Sequence, residues 1–147
     1  REILDEALKH CYEKYPKCDV SVKASYNCKR GEFLDADKLH MTELLLNLLD
    51  NAFQSFVDNK GVISISLDFD KHKNVLKMVI KDDGMGILKK DMPKIFEPFF
   101  TTKARGVGLG LTVCKHIVSL HEGTIEIKSE KGKFTVVEIS IPIKRLT

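Results

Sequence analysis

A chain of 147 residues, 43% apolar and 31% charged, lies near the globular mean, which points to one domain with a packed core and excludes intrinsic disorder. Its formal charge of +3 is spread without a block of like charges, so no electrostatic footprint for nucleic acid is present. Apolar runs are as short as Leu44-Leu45-Leu46, far below the roughly 20 residues of a bilayer span, and nothing at the N-terminus reads as a signal peptide.

Residues 2 to 14 place Ile3, Leu4, Ala7, Leu8 and Cys11 at helical spacing, and Pro16 closes that helix by removing a backbone donor. An opening at Arg1, in what reads as mid-helix, is expected of a piece of something longer. Val20, Val22, Ala24 and Tyr26 then alternate with Asp19, Ser21, Lys23 and Ser25, the period of a half-buried strand. A short edge strand is expected near Phe33-Leu34. Asp35 or Asp37 next caps the longest helix, whose apolar stripe is Leu39, Leu44, Leu45, Leu48, Leu49, Ala52 and Phe56.

Past a turn at Asp58 to Gly61, the alternation of Ile63, Ile65, Leu67 and Phe69 answers that of Leu76, Met78 and Ile80 across a loop at Asp70 to Asn74, which predicts an antiparallel hairpin. A short Pro-containing helix is expected around Asp91 to Ile95. After a Gly-rich stretch comes a helix with Val113, Ile117, Val118 and Leu120 inward, stopped at Gly123. Strands at Thr124 to Lys128 and Phe134 to Ile141 form a closing hairpin that Pro142 ends. Amphipathic helices beside strands with one polar and one apolar face imply an α+β fold, a two-layer sandwich in which helices cover one face of a mixed, mainly antiparallel sheet.

Cys11, Cys18, Cys28 and Cys114 contain no CxxC pair and stand in no zinc-type spacing with His10 or His121. Free thiols in a reducing cytosol are therefore expected, which makes the domain cytoplasmic.

Three constellations carry chemistry. Glu43, Asn47 and Asn51 recur every four residues and share a helix face. Asparagine is an indifferent helix former, so the stripe serves either to hydrogen-bond between helices or to hold a hard cation such as Mg²⁺ with amide oxygens. In Ile80-Lys81-Asp82-Asp83-Gly84-Met85-Gly86-Ile87 an apolar strand delivers two acids to its end and turns on glycines. This is either turn chemistry or a carboxylate acceptor for a purine amino group, with glycines letting the base approach the backbone. Gly106-Val107-Gly108-Leu109-Gly110-Leu111, preceded by Thr101-Thr102-Lys103-Ala104-Arg105, exposes backbone N–H groups at a helix start where phosphate is favoured. It fits neither the dinucleotide fingerprint nor the P-loop pattern.

Together and in this order, these segments resemble the ATP-binding catalytic domain of sensor histidine kinases, within the superfamily of gyrase-type, Hsp90-type and MutL-type ATPases. Asn47-Leu48-Leu49-Asp50-Asn51-Ala52 is similar to the N box, and Asp82-Asp83-Gly84-Met85-Gly86-Ile87 to the D-x-G-x-G box. Phe96-Glu97-Pro98-Phe99 resembles the F box and Gly106 to Leu111 the second glycine box. The resemblance implies a Bergerat-type ATP-binding fold in one domain over residues 1–147. Residues 1–14 would end a connection to a missing dimerisation domain, and residues 96–107 would form the ATP lid.

By that resemblance Asp82 takes the adenine amino group, Gly84, Gly86 and Ile87 wall the base, and Thr135 lies in the pocket floor. Asn51 holds Mg²⁺ and Asn47 sits beside it on the phosphates, while Thr102 and Lys103 reach the γ-phosphate region. Gly106, Val107, Gly108, Leu109, Gly110 and Leu111 supply phosphate-facing backbone. The catalytic set is Asn47, Asn51 and Lys103. ATP is the implied substrate with ADP as product. Gyrase-type ATPases place a water-activating Glu at the position of Asn47, and an amide cannot act as a general base, so transfer to a positioned acceptor rather than hydrolysis is implied.

The family's phosphoacceptor is a histidine followed by an acid with a proline four residues beyond that acid, and none of His10, His40, His72, His116 or His121 meets this pattern. The acceptor histidine is thus expected on a separate dimerisation and phosphotransfer domain of the same protein, with a homodimeric parent, relay to a response regulator, and no direct membrane contact by this segment. Gln54-Ser55 stands where many members carry Lys-Tyr. The alternatives are an ATPase or serine kinase of the same fold, or a nucleotide-binding regulatory pseudokinase.

Overall fold

The computed structural model describes residues 1–27, 38–100 and 110–143. The expected edge strand at Phe33-Leu34, the caps Asp35 and Asp37, and Cys28 lie outside the described residues, as do residues 101–109. The elements run α1 (Glu2–Lys14), β1 (Asp19–Asn27), α2 (Lys38–Gln54), β2 (Lys60–Asp70), β3 (Val75–Asp82), a single 3-10 turn (Met92–Lys94), α3 (Gly110–Leu120), β4 (Thr124–Glu130) and β5 (Phe134–Pro142). The α+β two-layer arrangement expected from the strand and helix periods is the one observed.

The sheet has the order β1-β2-β3-β5-β4. β1 and β2 are parallel, with α2 as their crossover, and every other pair is antiparallel. The helix-facing rows are apolar: Ile63 and Ile65 on β2, Leu76, Met78 and Ile80 on β3, Val137, Ile139 and Ile141 on β5. The β3 row ends on an acid, because the next residue in the same phase is Asp82, whose lateral neighbours are Ile63 and Thr135. A period of two thus carries one carboxylate to the end of a buried row.

Helix α2 lies at the centre of the helical layer, with α1 and α3 packed on it. Leu44, Leu48, Leu49 and Phe53 are each at most 2% exposed, and each such side chain contributes roughly 1.5–3 kcal/mol of burial. Two expected members of the apolar faces are corrected. Leu39 is 79% exposed and Leu120 is 55% exposed. They lie where α2 begins and α3 ends, an end marked by the edge-on contact of the His40 and His121 rings. Phe56 is buried as expected, but beyond the helix, which stops at Gln54.

Helix α1 belongs to the same core through Leu4, Ala7 and Cys11. Its end is tied to α2 by polar contacts: Lys14 Nζ donates to Asp50 Oδ1 at 2.8 Å, Tyr15 donates its hydroxyl to the same carboxylate, and Gln54 Nε2 reaches Tyr15 at 2.8 Å. The Tyr15 ring stacks on Phe53. Burial pushes the Cys11 thiol up to about 11 with help from the Asp50 charge, and pushes Cys114 up to about 12. Both are protonated core side chains at neutral pH.

The stop of α3 differs from expectation. Gly123 N–H donates to Val118 O at 2.9 Å and Glu122 N–H to Ser119 O at 3.0 Å, the paired bonds of a Schellman end. The left-handed residue is Glu122, at φ 57, where a side chain is strained. Glu122→Gly should therefore raise stability by ~0.5–1 kcal/mol, or about 2–4 °C in Tm. An unchanged or lowered unfolding midpoint would show that Glu122 bears no such strain.

Candidate functional site

The site is assembled where the ends of α2 and β3, the β4–β5 turn and the start of α3 meet. Asp82 is 6% exposed, and a buried carboxylate must be given donors. Ser55 Oγ lies 3.1 Å from Asp82 Oδ1, and Gly84 N–H donates to the same oxygen at 3.0 Å. Both contacts use Oδ1 as an acceptor. Asp83, its neighbour in the same acidic pair, is exposed and serves the sheet: its Oδ1 accepts from Val62 N–H at 2.7 Å.

The loop after Asp82 is held from two sides. Met85 N–H donates to Ser55 O at 2.9 Å, joining it to the end of α2, while Gly132 N–H donates to Met85 O at 2.7 Å, joining it to the β4–β5 turn. Ile87 N–H donates to Ser129 Oγ at 2.8 Å, and that hydroxyl lies 2.9 Å from Thr135 Oγ1. Two glycines are required by this closeness. Gly86 has φ +67, and a Cβ there would lie 2.1 Å from Glu130 O; a Cβ on Gly84 would lie 2.1 Å from Ser55 Oγ.

At the other end of the site the two asparagines face the start of α3. A Cβ at Gly110 would lie 3.6 Å from Asn47 Oδ1 and 3.7 and 3.9 Å from the Asn51 amide atoms. The four-residue spacing therefore places both amides against the N-terminal end of a helix, whose dipole favours anions. Glu43, one turn earlier, is exposed and Leu111 is half-buried against the core. Thr112 Oγ1 donates to Phe96 O at 2.9 Å, and Lys115 Nζ lies 5.0 Å above the Phe96 ring, so the F-box segment is anchored on α3.

Of the expected site residues, Asp82, Gly84, Gly86, Ile87 and Thr135 come together in one cluster, and Asn47, Asn51 and Gly110 in a second. Thr102, Lys103, Gly106, Val107, Gly108 and Leu109 lie outside the described residues. Ser55, Ser129 and Thr112 were not expected. Their partners are 27, 42 and 16 residues away, and no local spacing encodes a hydroxyl whose acceptor is that distant.

Comparison with known proteins places this geometry in a family. Residues 36–145 match the model of the histidine kinase-, DNA gyrase B- and HSP90-like ATPases. Sporulation kinase D of Bacillus subtilis is 34% identical over 143 residues, covering 97% of this chain and 28% of that protein. Sensor histidine kinase ZraS of Escherichia coli is 39% identical over 110 residues, 75% of this chain and 23% of that protein. The chain thus spans about a quarter of the length of these curated relatives. Among solved structures, the catalytic domain of histidine kinase ThkA superposes with a TM-score of 0.81 at 28% identity, covering 97% of this chain and 91% of that one. A mycobacterial sensor histidine kinase, MprB, shares the fold with a TM-score of 0.82 at 23% identity, over 99% of this chain and 95% of that one. The resemblance carried by the four boxes is therefore met by family, relatives and fold alike, and the chain belongs to the histidine kinase-, DNA gyrase B- and HSP90-like ATPase family, on its histidine kinase branch.

Proposed function

We propose that the chain is the catalytic ATP-binding domain of a two-component sensor histidine kinase, which binds Mg·ATP and donates the γ-phosphate to a histidine on a separate helical domain of the same protein. The observation that carries this reading is the pairing of the two clusters: a buried, donor-held carboxylate at one end, and two amides facing a helix start at the other. Asp82 accepts from the adenine amino group, with Gly84, Gly86 and Ile87 along the base and Thr135 beside the acid. Phosphates extend toward Gly110, where the backbone of α3 and the Asn47 amide meet them.

The residues present fit a divalent cation. Among the described residues no three His, Cys, Asp or Glu side chains lie together for a metal, but Asn51 and Asn47 offer neutral oxygens suited to an ion that keeps water and phosphate as its other ligands. Mg²⁺ held there would neutralise phosphate charge. Lys103 and Thr102 complete the γ-phosphate side by resemblance, with Gly106, Val107, Gly108 and Leu109 supplying backbone. Asn47 cannot deprotonate water, so catalysis consists of positioning and electrostatics toward an acceptor brought from outside.

Among the described residues no helix is long and apolar enough to cross a membrane; the reading as a kinase domain acting on a response regulator itself calls for a cytoplasmic location. The dimerisation and phosphotransfer domain, a homodimeric parent and the receiver domain of a response regulator are the partners this reading requires.

Calorimetric titration with ADP, with and without Mg²⁺ and with GDP as control, tests it. Kd on the order of micromolar, adenine-selective and Mg-sensitive, is the expected result, together with ATP turnover that remains slow until a histidine-bearing helical domain is supplied. Fast hydrolysis by the chain alone would replace the kinase reading with an ATPase. Absence of nucleotide binding by folded chain would replace it with a pseudokinase that regulates a partner through its surface alone.

A further inference from the structure

Among the described residues the buried polar or charged side chains are Ser55, 7% exposed, and Asp82, 6% exposed. They touch each other, although 27 residues apart. Ser55 follows the last turn of α2 between Phe53 and Phe56, both buried. An apolar side chain would suit that setting, and a hydroxyl there calls for partners. Ser55 Oγ has one proton and two acceptors, Ala52 O at 2.6 Å and Asp82 Oδ1 at 3.1 Å. The first is ordinary at a helix end. The second reaches the acid of the site.

We infer that Ser55 is a specificity-determining positioning residue, which acts through Asp82 to make the pocket prefer 6-aminopurine nucleotides. The inference rests on the adenine reading of Asp82. With Gly84 N–H on Oδ1 and the Ser55 hydroxyl, its proton shared with Ala52 O, against the same oxygen, the carboxylate cannot turn about its Cβ–Cγ bond without giving up the Gly84 bond and the shared Ser55 contact. Oδ2 is then presented to the base in a single orientation. A 6-amino group donates to it, whereas the 6-oxo group of a guanine or hypoxanthine base brings a second acceptor against it. The backbone bond from Met85 N–H to Ser55 O, at 2.9 Å, holds the loop independently of the hydroxyl. The side chain's contribution to orientation is therefore separable from the loop's attachment to α2.

The test is calorimetry on the chain with ADP and with purine riboside 5′-diphosphate, which lacks only the 6-amino group. Ser55→Ala should weaken ADP about three- to tenfold, the range of one hydrogen bond, and leave the purine riboside 5′-diphosphate unchanged, so that the preference shrinks by the same factor. Equal weakening of both ligands, or of neither, overturns the inference in favour of a purely structural serine. Ser55→Cys, which keeps a γ atom with a weaker donor, should show an intermediate preference. If Ser55→Ala fails to give a cooperative thermal transition, the cysteine variant decides alone: an undiminished preference overturns the inference. Asp82→Asn is run alongside. If it retains a preference for ADP, the adenine reading itself fails. If it loses the preference while Ser55→Ala keeps it, only the role of Ser55 falls.

Discussion

In an Asp82→Asn variant, ADP binding by the folded chain is expected to fall by ~10²–10³-fold. An asparagine is nearly isosteric, and its carbonyl can take the place of Oδ1 opposite Ser55 Oγ and Gly84 N–H, which lie 3.1 and 3.0 Å from it in the native chain. Its amide nitrogen then occupies the position of Oδ2 and turns a donor toward the adenine amino group, itself a donor. The loss combines a charge-assisted bond, about 1.5–3 kcal/mol, with the penalty of an unpaired donor, about 1–3 kcal/mol, which is two to three decades in Kd. The fold should survive because the hydrogen bonds to Oδ1 are conserved. ADP affinity within threefold of wild type, in a variant with native circular dichroism, would remove Asp82 from the adenine site.

Asn51→Ala addresses the opposite end. Alanine is the better helix former by roughly half a kcal/mol, and Ala52, Phe53 and Leu48 beside it remain buried, so α2 should persist. The expected result is loss of the Mg-dependent part of nucleotide binding and of phosphotransfer to a supplied histidine domain by ~10²-fold or more. ADP affinity measured in a chelator should change little. The difference between the two titrations is the decisive quantity: if wild-type chain binds ADP equally with and without Mg²⁺, or if Asn51→Ala keeps the full Mg²⁺ response, the cation does not depend on this amide.

How far the sequence revealed the fold differs from element to element, for physical reasons. The alternation through Ile63 and Ile65 and through Leu76, Met78 and Ile80 specified which side of each strand faces the helices, and the same phase put Asp82 rather than Asp83 inside. In α2 the apolar period set the buried face but not where cover ends, so Leu39 was assigned to a core that does not extend to it, and Phe53, 1% exposed, was passed over. Gly123 marks where α3 stops, but the left-handed position is taken by Glu122, with glycine at the position after it. The site was legible in its motifs and not in its supports. Asn47, Asn51 and Asp82 belong to recognisable spacings. Ser55 and Ser129 act on partners 27 and 42 residues away in the chain, which local patterns do not report.

The strand order has a consequence for when the chain becomes competent during its own synthesis. Because β5 lies between β3 and β4, the edge of β3 that carries Asp82 stays unpaired until the final strand is inserted and Thr135 arrives opposite the acid. Everything N-terminal to that strand can leave the ribosome and collapse around α2 without closing the pocket floor. An adenine site built on Asp82, as proposed, is therefore complete only once β5 has paired with β3.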